Sequence, residues 1–293
     1  MWKFDRAAER HSHSPADEPE STLLAEHLPA STARGHRGLA DVHMHTNYSD
    51  GTGSVEEVLD FAQRFTRLDV LAITDHDTIE GALRARDLAA QRGYRFEVIV
   101  GEEISTREGH LLALFLQTPV APDQSIERSI EQVHAQGGLA IVAHPFNRVF
   151  RHSVQRSVMN RLLRQPEVHP DGIETLNGSF AGIGSSRIAM TLARNVYHWA
   201  ETGGSDAHTP TAVGCARTAF AGRTADDLRA ALLRRETLPL GTYWHAREYV
   251  AFVSHRMRYG GGATSELEVT EVRGNLLAGW SARRAAQRMS RSA

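Results

Sequence analysis

Four short apolar runs and one glycine pair in the 293-residue chain each end in side chains suited to binding metal ions. Gly38-Leu39-Ala40 leads into Asp41-Val42-His43-Met44-His45, and Val70-Leu71-Ala72-Ile73 into Thr74-Asp75-His76-Asp77. Phe96 to Val100 leads into Gly101-Glu102-Glu103-Ile104-Ser105, and Leu139 to Ala143 into His144-Pro145. Gly203-Gly204-Ser205 precedes Asp206-Ala207-His208, while His110 opens the run Leu111 to Leu116. Apolar runs of this length, bounded by Gly, Pro or Asp, read as buried parallel strands. In an α/β barrel the functional groups sit at the C-terminal ends of such strands. The repeated placement of His, Asp and Glu at strand ends therefore points to one cavity lined by all of them.

The spacing within the first motif supports this. Residues two apart on an extended strand face the same side, so His43 and His45 can converge on one ion. Asp50, in a glycine-containing turn, can fold back toward them. Each residue alone has an ordinary explanation. Asp50 in Ser-Asp-Gly suits a turn, His144 before a proline suits another, His110 could bond at a strand edge, and Glu103 could pair with an arginine. Asp206 could cap a helix and His208 lie on the surface. Each of these explanations covers one position, and none covers the set. The pair His11 and His13 is a useful control, since no strand precedes it and no acidic partner follows. It reads as a non-ligand pair, as do His134, His169, His198, His245 and His255.

Taken in order, Asp-Val-His-Met-His…Ser-Asp-Gly, Thr-Asp-His-Asp, Gly-Glu-Glu-Ile-Ser, Ala-His-Pro and Ser-Asp-Ala-His resemble the PHP (polymerase and histidinol phosphatase) family. The chain looks most like its stand-alone metal-dependent phosphoesterases, over roughly residues 39 to 240. That resemblance implies an α/β fold, a distorted (β/α)7 TIM-like barrel with two to three divalent metal ions at one mouth. It implies one metal on His43, His45, Glu103 and Asp206. A second would share Glu103 and add His110 and His144, and a third would take Asp50, His76 and His208. Asp75 and Asp77 are expected to orient neighbouring ligands by accepting hydrogen bonds.

Composition sets limits. The formal charge of −2 and pI near 6.8 give no general electrostatic argument for nucleic acid or anionic membranes. A single cysteine, Cys215, excludes an intramolecular disulfide and a cysteine-rich zinc site. No apolar run approaches the roughly 18 residues of a membrane span, and Met-Trp-Lys-Phe-Asp-Arg does not begin a secretory signal. A cytoplasmic protein without membrane attachment is the expectation, and the sequence does not indicate an oligomeric state.

Residues 1–37 read as a mobile arm rich in Glu, Ser, Ala, Pro and His, with one short helix near Ser21 to His27. Residues 38–241 read as the metallohydrolase barrel. Helices are expected from Gly53-Ser54 to Phe65 with an acidic first turn, and over Thr78–Arg92, Ser125–Gln136, Ser153–Arg164, Ser185–Trp199 and Thr224–Arg235. A strand is expected over Asp171–Leu176. This βα alternation argues for a parallel sheet nearly closed on itself. Residues 242–293 are expected to form an aromatic, basic helix through Tyr259 and then an Arg-rich tail. The helix could pack on the barrel's outer wall or present a surface for nucleic acid or a partner.

Imidazole with carboxylate and no thiolate suits Zn²⁺, Mn²⁺ or Fe²⁺. Ions bridged by Glu103 would lie about 3.5–4 Å apart and hold a hydroxide that is nucleophilic at neutral pH. The expected reaction is hydrolysis of a phosphate ester: a nucleotide, an oligonucleotide end or another small phosphorylated molecule. Asp206 or His208 is the candidate proton carrier. Arg148, Arg151, Asn177 and Arg187 are candidates to grip the phosphate. The alternatives are hydrolysis of a carbamate, ester or amide at the same metals, or a non-catalytic binding barrel. Pro145 to Asp171 leaves room for about one helix, which predicts a comparatively open site.

Overall fold

A computed structural model describes residues 37–149 and 152–259. The proposed arm with His11 and His13, Arg151 and the Arg-rich end lie outside the described residues. In chain order the elements are β1 (Arg37–Asp41), α1 (Val55–Phe65), β2 (Val70–Ile73), α2 (Glu80–Arg92), β3 (Glu97–Thr106), β4 (Gly109–Leu114) and α3 (Ile126–Ala135). They continue with β5 (Leu139–Val142), α4 (Arg156–Leu162), β6 (Gly172–Asn177), α5 (Ser186–Leu192), β7 (Ala200–Gly204), β8 (Ala216–Ala221), α6 (Ala225–Arg234), β9 (Leu238–Gly241) and α7 (Ala246–Tyr259).

Local chemistry accounts for the helix ends. Ser54 and Glu57 form a reciprocal capping box at α1, and Thr224 and Asp227 form another at α6. Ser125 caps α3 by accepting from the Arg128 N–H. Gly93, at φ 63°, ends α2 in the left-handed conformation that glycine adopts without strain. The α5 helix stops at Leu192 and passes through a wide turn over Ala193–Tyr197, so it is shorter than the sequence pattern suggests.

The strands form one sheet in the order β7-β6-β5-β4-β3-β2-β1-β8-β9. It is nearly closed and barrel-shaped, as expected, but its directions are mixed. The pairs β1–β2, β2–β3, β5–β6 and β6–β7 are parallel, whereas β4 runs antiparallel to both β3 and β5. Strands β8 and β9, which the apolar-run reading did not mark, are antiparallel to β1 and to each other respectively. The β3–β4 hairpin has a functional consequence. Because β4 runs backwards, its first residues lie beside the last residues of β3, which carries His110 to the same end of the sheet as Glu103.

Two glycines close the sheet. Gly203 on β7 approaches β8 so closely that a Cβ there would lie 2.5 Å from the Arg217 carbonyl oxygen. Its N–H donates to Thr218 Oγ1, whose hydroxyl donates back to the Gly203 carbonyl, both at 2.9 Å. At Gly204 a Cβ would lie 2.5 Å from His43 Cβ. Side chains here would force β7 away from β1, which explains the glycine pair just before Asp206.

The strands bury both faces, as parallel sheet strands covered by helices do. Leu71 and Ile73 share a cluster with Val58 and Leu59 of α1 and with Ala82 and Ala85 of α2. Val70 and Ala72, on the opposite face, pack with Val42, Ile99, Leu112 and Ile141. Truncating one of these larger fully buried side chains to alanine costs about 2–5 kcal/mol. The core thus supports the site from below without supplying any of its polar groups.

Candidate metal centre

The backbone beyond β1 fixes the first two histidines. The Thr74 N–H donates to the Met44 carbonyl, the His45 N–H to the Ala207 carbonyl and the Asp206 N–H to the His43 carbonyl. The 42–45 segment is therefore held on both sides. His43 and His45 point into the same space, as their spacing predicts. The Nε2 atoms of both lie 3.1 Å from Glu103 Oε2 and 3.3 Å from Asp206 Oδ1. These four side chains are buried and could hold one ion.

The other carboxylate oxygen of Glu103 faces a second pair. His110 Nδ1 lies 2.8 Å and His144 Nε2 3.0 Å from Glu103 Oε1. His76 Nδ1 is 3.5 Å from Glu103 Oε2, so His76, Glu103 and His110 also form a group able to hold an ion. On the outer side, His45, Asp50, His76 and His208 form a further group. His208 Nε2 is 3.1 Å from Asp50 Oδ2, and His76 Nε2 is 3.8 Å from Asp50 Oδ1. The structure thus brings together all nine positions expected to be ligands. The first grouping is as expected, but His45 also joins the outer group, and His76 rather than His144 completes the group of Glu103 and His110, with His144 meeting the cluster through Glu103 Oε1.

The donor atoms fit a cation better than they fit one another. Among the described residues, His45 Nδ1 and Nε2, Asp50 Oδ1, His76 Nδ1, His110 Nδ1 and His144 Nδ1 are buried without a hydrogen-bond partner. Leaving such atoms unpaired costs about 1–3 kcal/mol each. His110 Nδ1 and Glu103 Oε1 lie close together without hydrogen-bond alignment, as two donors aimed at a common third point would. Two ligand-type residues also have left-handed backbone, His144 at φ 24° and Asp206 at φ 49°. Such conformations are costly outside glycine and concentrate at functional sites.

Without a metal, the cluster's charges compensate one another. Burial raises Asp206 and Glu103, but imidazoles, His43 foremost, overcome this and hold both carboxyls well below the usual range. Burial lowers His43, yet Asp206, Glu103 and Glu174 push it well above its ordinary value. At His110 burial prevails over Glu103 and brings the imidazole down to about 4. Metal binding requires neutral imidazole and ionised carboxylate, and the carboxylates are already held in that form.

A layer of residues behind the ligands is the part the sequence reading did not recognise. Glu174 is buried, and its Oε1 accepts from His43 Nδ1 at 3.0 Å, which directs His43 Nε2 inward. Its Oε2 accepts from the His144 N–H and from Asn177 Nδ2. Asn177 Nδ2 and Ser179 Oγ both donate to Asp206 Oδ2. Asn177, expected at the rim against phosphate, is instead buried behind Asp206 and Glu174. Glu174 lies inside the strand segment Gly172-Ile173-Glu174, and its value as an imidazole partner depends on a contact 131 residues away in sequence. Asp41 similarly accepts from the N–H groups of Ser205 and Gly214.

Asp75 and Asp77 orient backbone segments rather than imidazole rings. Asp75 accepts from Thr46 N, Thr46 Oγ1 and Ser49 Oγ, fixing the loop that carries Asp50. Asp77 accepts from the Ser105 N–H. His134 bonds Asp171, well away from the cluster. Arg148 is exposed on the loop after β5, and Arg187 is exposed on α5. His152, on the Arg148 loop, stacks on His110 with ring centroids 4.8 Å apart.

The C-terminal helix departs most from expectation. It packs over the metal-ligand end of the sheet. The Trp244 indole N–H donates to the Ser205 carbonyl at 2.8 Å, and Phe252 meets the His208 ring edge-on with centroids 5.1 Å apart. Arg256 Nη1 lies 3.6 Å from Asp50 Oδ2. The site predicted to be open is therefore walled on its outer side.

A nearly closed α/β sheet with His, Asp and Glu converging at one end defines a metal-binding barrel. The chain belongs to the PHP domain family: the PHP domain matches residues 41–191, and the PHP-associated region matches residues 187–237. An uncharacterized protein of Methanocaldococcus jannaschii is 33% identical over 181 residues, covering 55% of this chain and 99% of that protein. A phosphoribosyl 1,2-cyclic phosphate 1,2-diphosphodiesterase of Eggerthella lenta is 35% identical over 82 residues, covering 26% of this chain and 30% of that enzyme. Among solved structures, a two-domain Bacteroides vulgatus protein containing a predicted PHP-like metal-dependent phosphoesterase superposes with a TM-score of 0.59 at 19% identity. That superposition covers 80% of this chain and 70% of that one, and it shows the fold. No helix among the described residues is long and apolar enough to cross a membrane.

Proposed function

We propose that the protein is a metal-dependent phosphoesterase acting on a nucleotide, an oligonucleotide end or another small phosphate ester. The observation behind this reading is the convergence of nine ligand-type side chains at one end of the sheet, five of which (His45, Asp50, His76, His110 and His144) carry buried donor atoms without a hydrogen-bond partner. His43, His45, Glu103 and Asp206 would hold one divalent ion. Glu103, His110 and His144, with His76 alongside, would hold a second, and Asp50, His76 and His208, joined by His45, a third. Zn²⁺, Mn²⁺ and Fe²⁺ all suit this donor set. When bound, such ions lower the pKa of water and neutralise charge developing on a phosphoryl group. Glu174 holds the His43 ring in place, and Asn177 and Ser179 hold the Asp206 carboxylate. His208, partly exposed beside Asp206, would carry a proton between the site and solvent. The phosphodiesterase and phosphoesterase descriptions of the relatives agree with this chemistry.

A panel of phosphomonoesters, phosphodiesters and carbamates, assayed with Mn²⁺ or Zn²⁺ and with a chelator, tests the proposal. Turnover of at least one phosphate ester, lost to chelator and restored by metal, is expected. Turnover confined to carbamates would replace the substrate class, and no turnover with two or three ions bound would favour a binding barrel.

A further inference from the structure

Arg256 occupies an unusual position for a cation. Its side chain is 10% exposed, its guanidinium carbon lies 5.4 Å from the Phe252 ring centroid, and its Nη1 is 3.6 Å from Asp50 Oδ2. Asp50 is also the carboxylate of the outer group of His45, His76 and His208. A divalent ion in that group would therefore share its one anionic ligand with a permanently charged, largely covered guanidinium. Two cations around one carboxylate in a partly buried site repel each other. An anion bound between such an ion and the guanidinium would meet positive charge on two sides.

The helix holds Arg256 in this position. Glu248, Phe252 and Arg256 recur every four residues, so they share one face of α7. That face meets the barrel through Phe252 on His208, with Glu248 buried, while Val250 and Met257 on other faces are 65% and 64% exposed. Trp244, just before the helix, is tied to Gly178 and Ser205 through its backbone and indole N–H groups. The start of the helix is thus tied to the residue after β7, and Arg256 itself lies against Phe252 and Asp50. Residues 246–259 lie beyond both matched family stretches, which end at 191 and 237, so family membership gives this helix no role.

We propose that Arg256 is a substrate-binding residue that grips a terminal, doubly charged phosphoryl group at the outer metal group, so that the preferred substrate is a phosphate monoester or phosphorylated end. This rests on the metal-dependent reading above. A planar guanidinium matches phosphate oxygens in a way a single ammonium does not. A monoester brings two negative charges to the pair of cations, a diester one, and a carbamate or amide none.

The test uses the full chain loaded with Mn²⁺, inorganic phosphate as the probe, and the variants Arg256→Gln and Arg256→Lys. Calorimetry should show phosphate affinity falling about 10–100-fold in Arg256→Gln, with Arg256→Lys in between. Metal content and melting temperature should match the native protein. In steady state, KM for 4-nitrophenyl phosphate should rise by a similar factor while KM for bis(4-nitrophenyl) phosphate moves much less. Phosphate affinity within twofold of native in both variants would overturn the proposal. So would an extra bound ion in Arg256→Gln with unchanged phosphate affinity, because Arg256 would then be filling a cation's place. If Gln loosens α7, the Lys variant decides, since full native affinity there denies the need for a guanidinium. The two readings fail separately. Native protein that binds phosphate through Arg256 yet hydrolyses no phosphate ester removes the phosphoesterase reading alone, whereas hydrolysis indifferent to Arg256 removes this one.

Discussion

The inner and outer sides of the candidate centre are built on different principles. On the inner side His43, His45, Glu103 and Asp206 are almost wholly buried, and His43 and Asp206 are braced from behind by Glu174, Asn177 and Ser179. On the outer side the His76 and His208 side chains are 21% and 13% exposed, and Asp50 is shared between imidazoles and Arg256. His43 and Asp206 are over-determined, since the far atom of each side chain is held by a second contact. The outer groups depend on a loop held by Asp75 and on a helix added at the C-terminal end. This contrast teaches that fixed geometry is concentrated where ions would be retained, and adjustable contacts where a substrate would enter.

The most severe way to break the contrast is to remove an inner ligand. His43→Ala or Asp206→Ala should lose at least one bound ion and lower turnover by about a thousandfold or more, while circular dichroism shows a folded barrel. Retention of near-native turnover by either variant would refute the inner assignment. Glu174→Gln tests the bracing alone. It keeps the size of the side chain but weakens its hold on His43 Nδ1, so inner-metal affinity should drop about 10–100-fold in a competition titration with a chelating dye. Unchanged affinity would reduce Glu174 to a packing residue. Asp50→Asn should have the smallest effect of the three. The inner ions should stay, one ion should become easily removed, and activity should recover as Mn²⁺ is raised. Loss of every ion on this change would show that the two sides are one cooperative unit.

How much was legible in the sequence follows the same division. The nine ligand-type positions could be read because most fall at or just beyond strand ends, Asp50 lying in the turn that follows, and because each belongs to a short motif. The helices could be read from their caps and glycine stops. The strand directions could not. The turn at Arg107-Glu108 reverses the chain into β4, and the apolar run after His110 looks the same in either direction. Glu174 was missed because its meaning arises only when β6 lies near the segment after β1. Asn177 was assigned to phosphate because an exposed loop was expected where the chain is buried. The place of α7 was not legible because the aromatic and basic pattern fits a helix on any surface. Its docking is decided by Trp244 reaching Ser205, a contact without a local signature.

Glu102 and Glu103 bring the comparison down to neighbouring residues. Both are buried on β3, but alternation along a strand sends their side chains to opposite faces. Glu103 meets imidazoles and is held low. Glu102 has only the Val120 N–H, at 2.9 Å, and burial pushes its carboxyl from 4.5 up to about 7. The folded state therefore takes up a proton that the unfolded chain releases at lower pH. Stability linked to Glu102 is fully present below about pH 4.5, falls as the pH rises toward 7, and is flat above that. Glutamine can still accept from Val120 and carries no charge to desolvate. In chelated protein, Glu102→Gln should thus melt higher than the native chain at pH 8, by an amount equivalent to at most about 3 kcal/mol. At pH 5 most of that advantage should be gone. Melting curves at the two pH values decide it, and an equal gap at both would mean that Glu102 is already neutralised by a partner. The expected result would show that burial alone does not set the charge of this strand end, and that the imidazoles facing Glu103 keep it ionised.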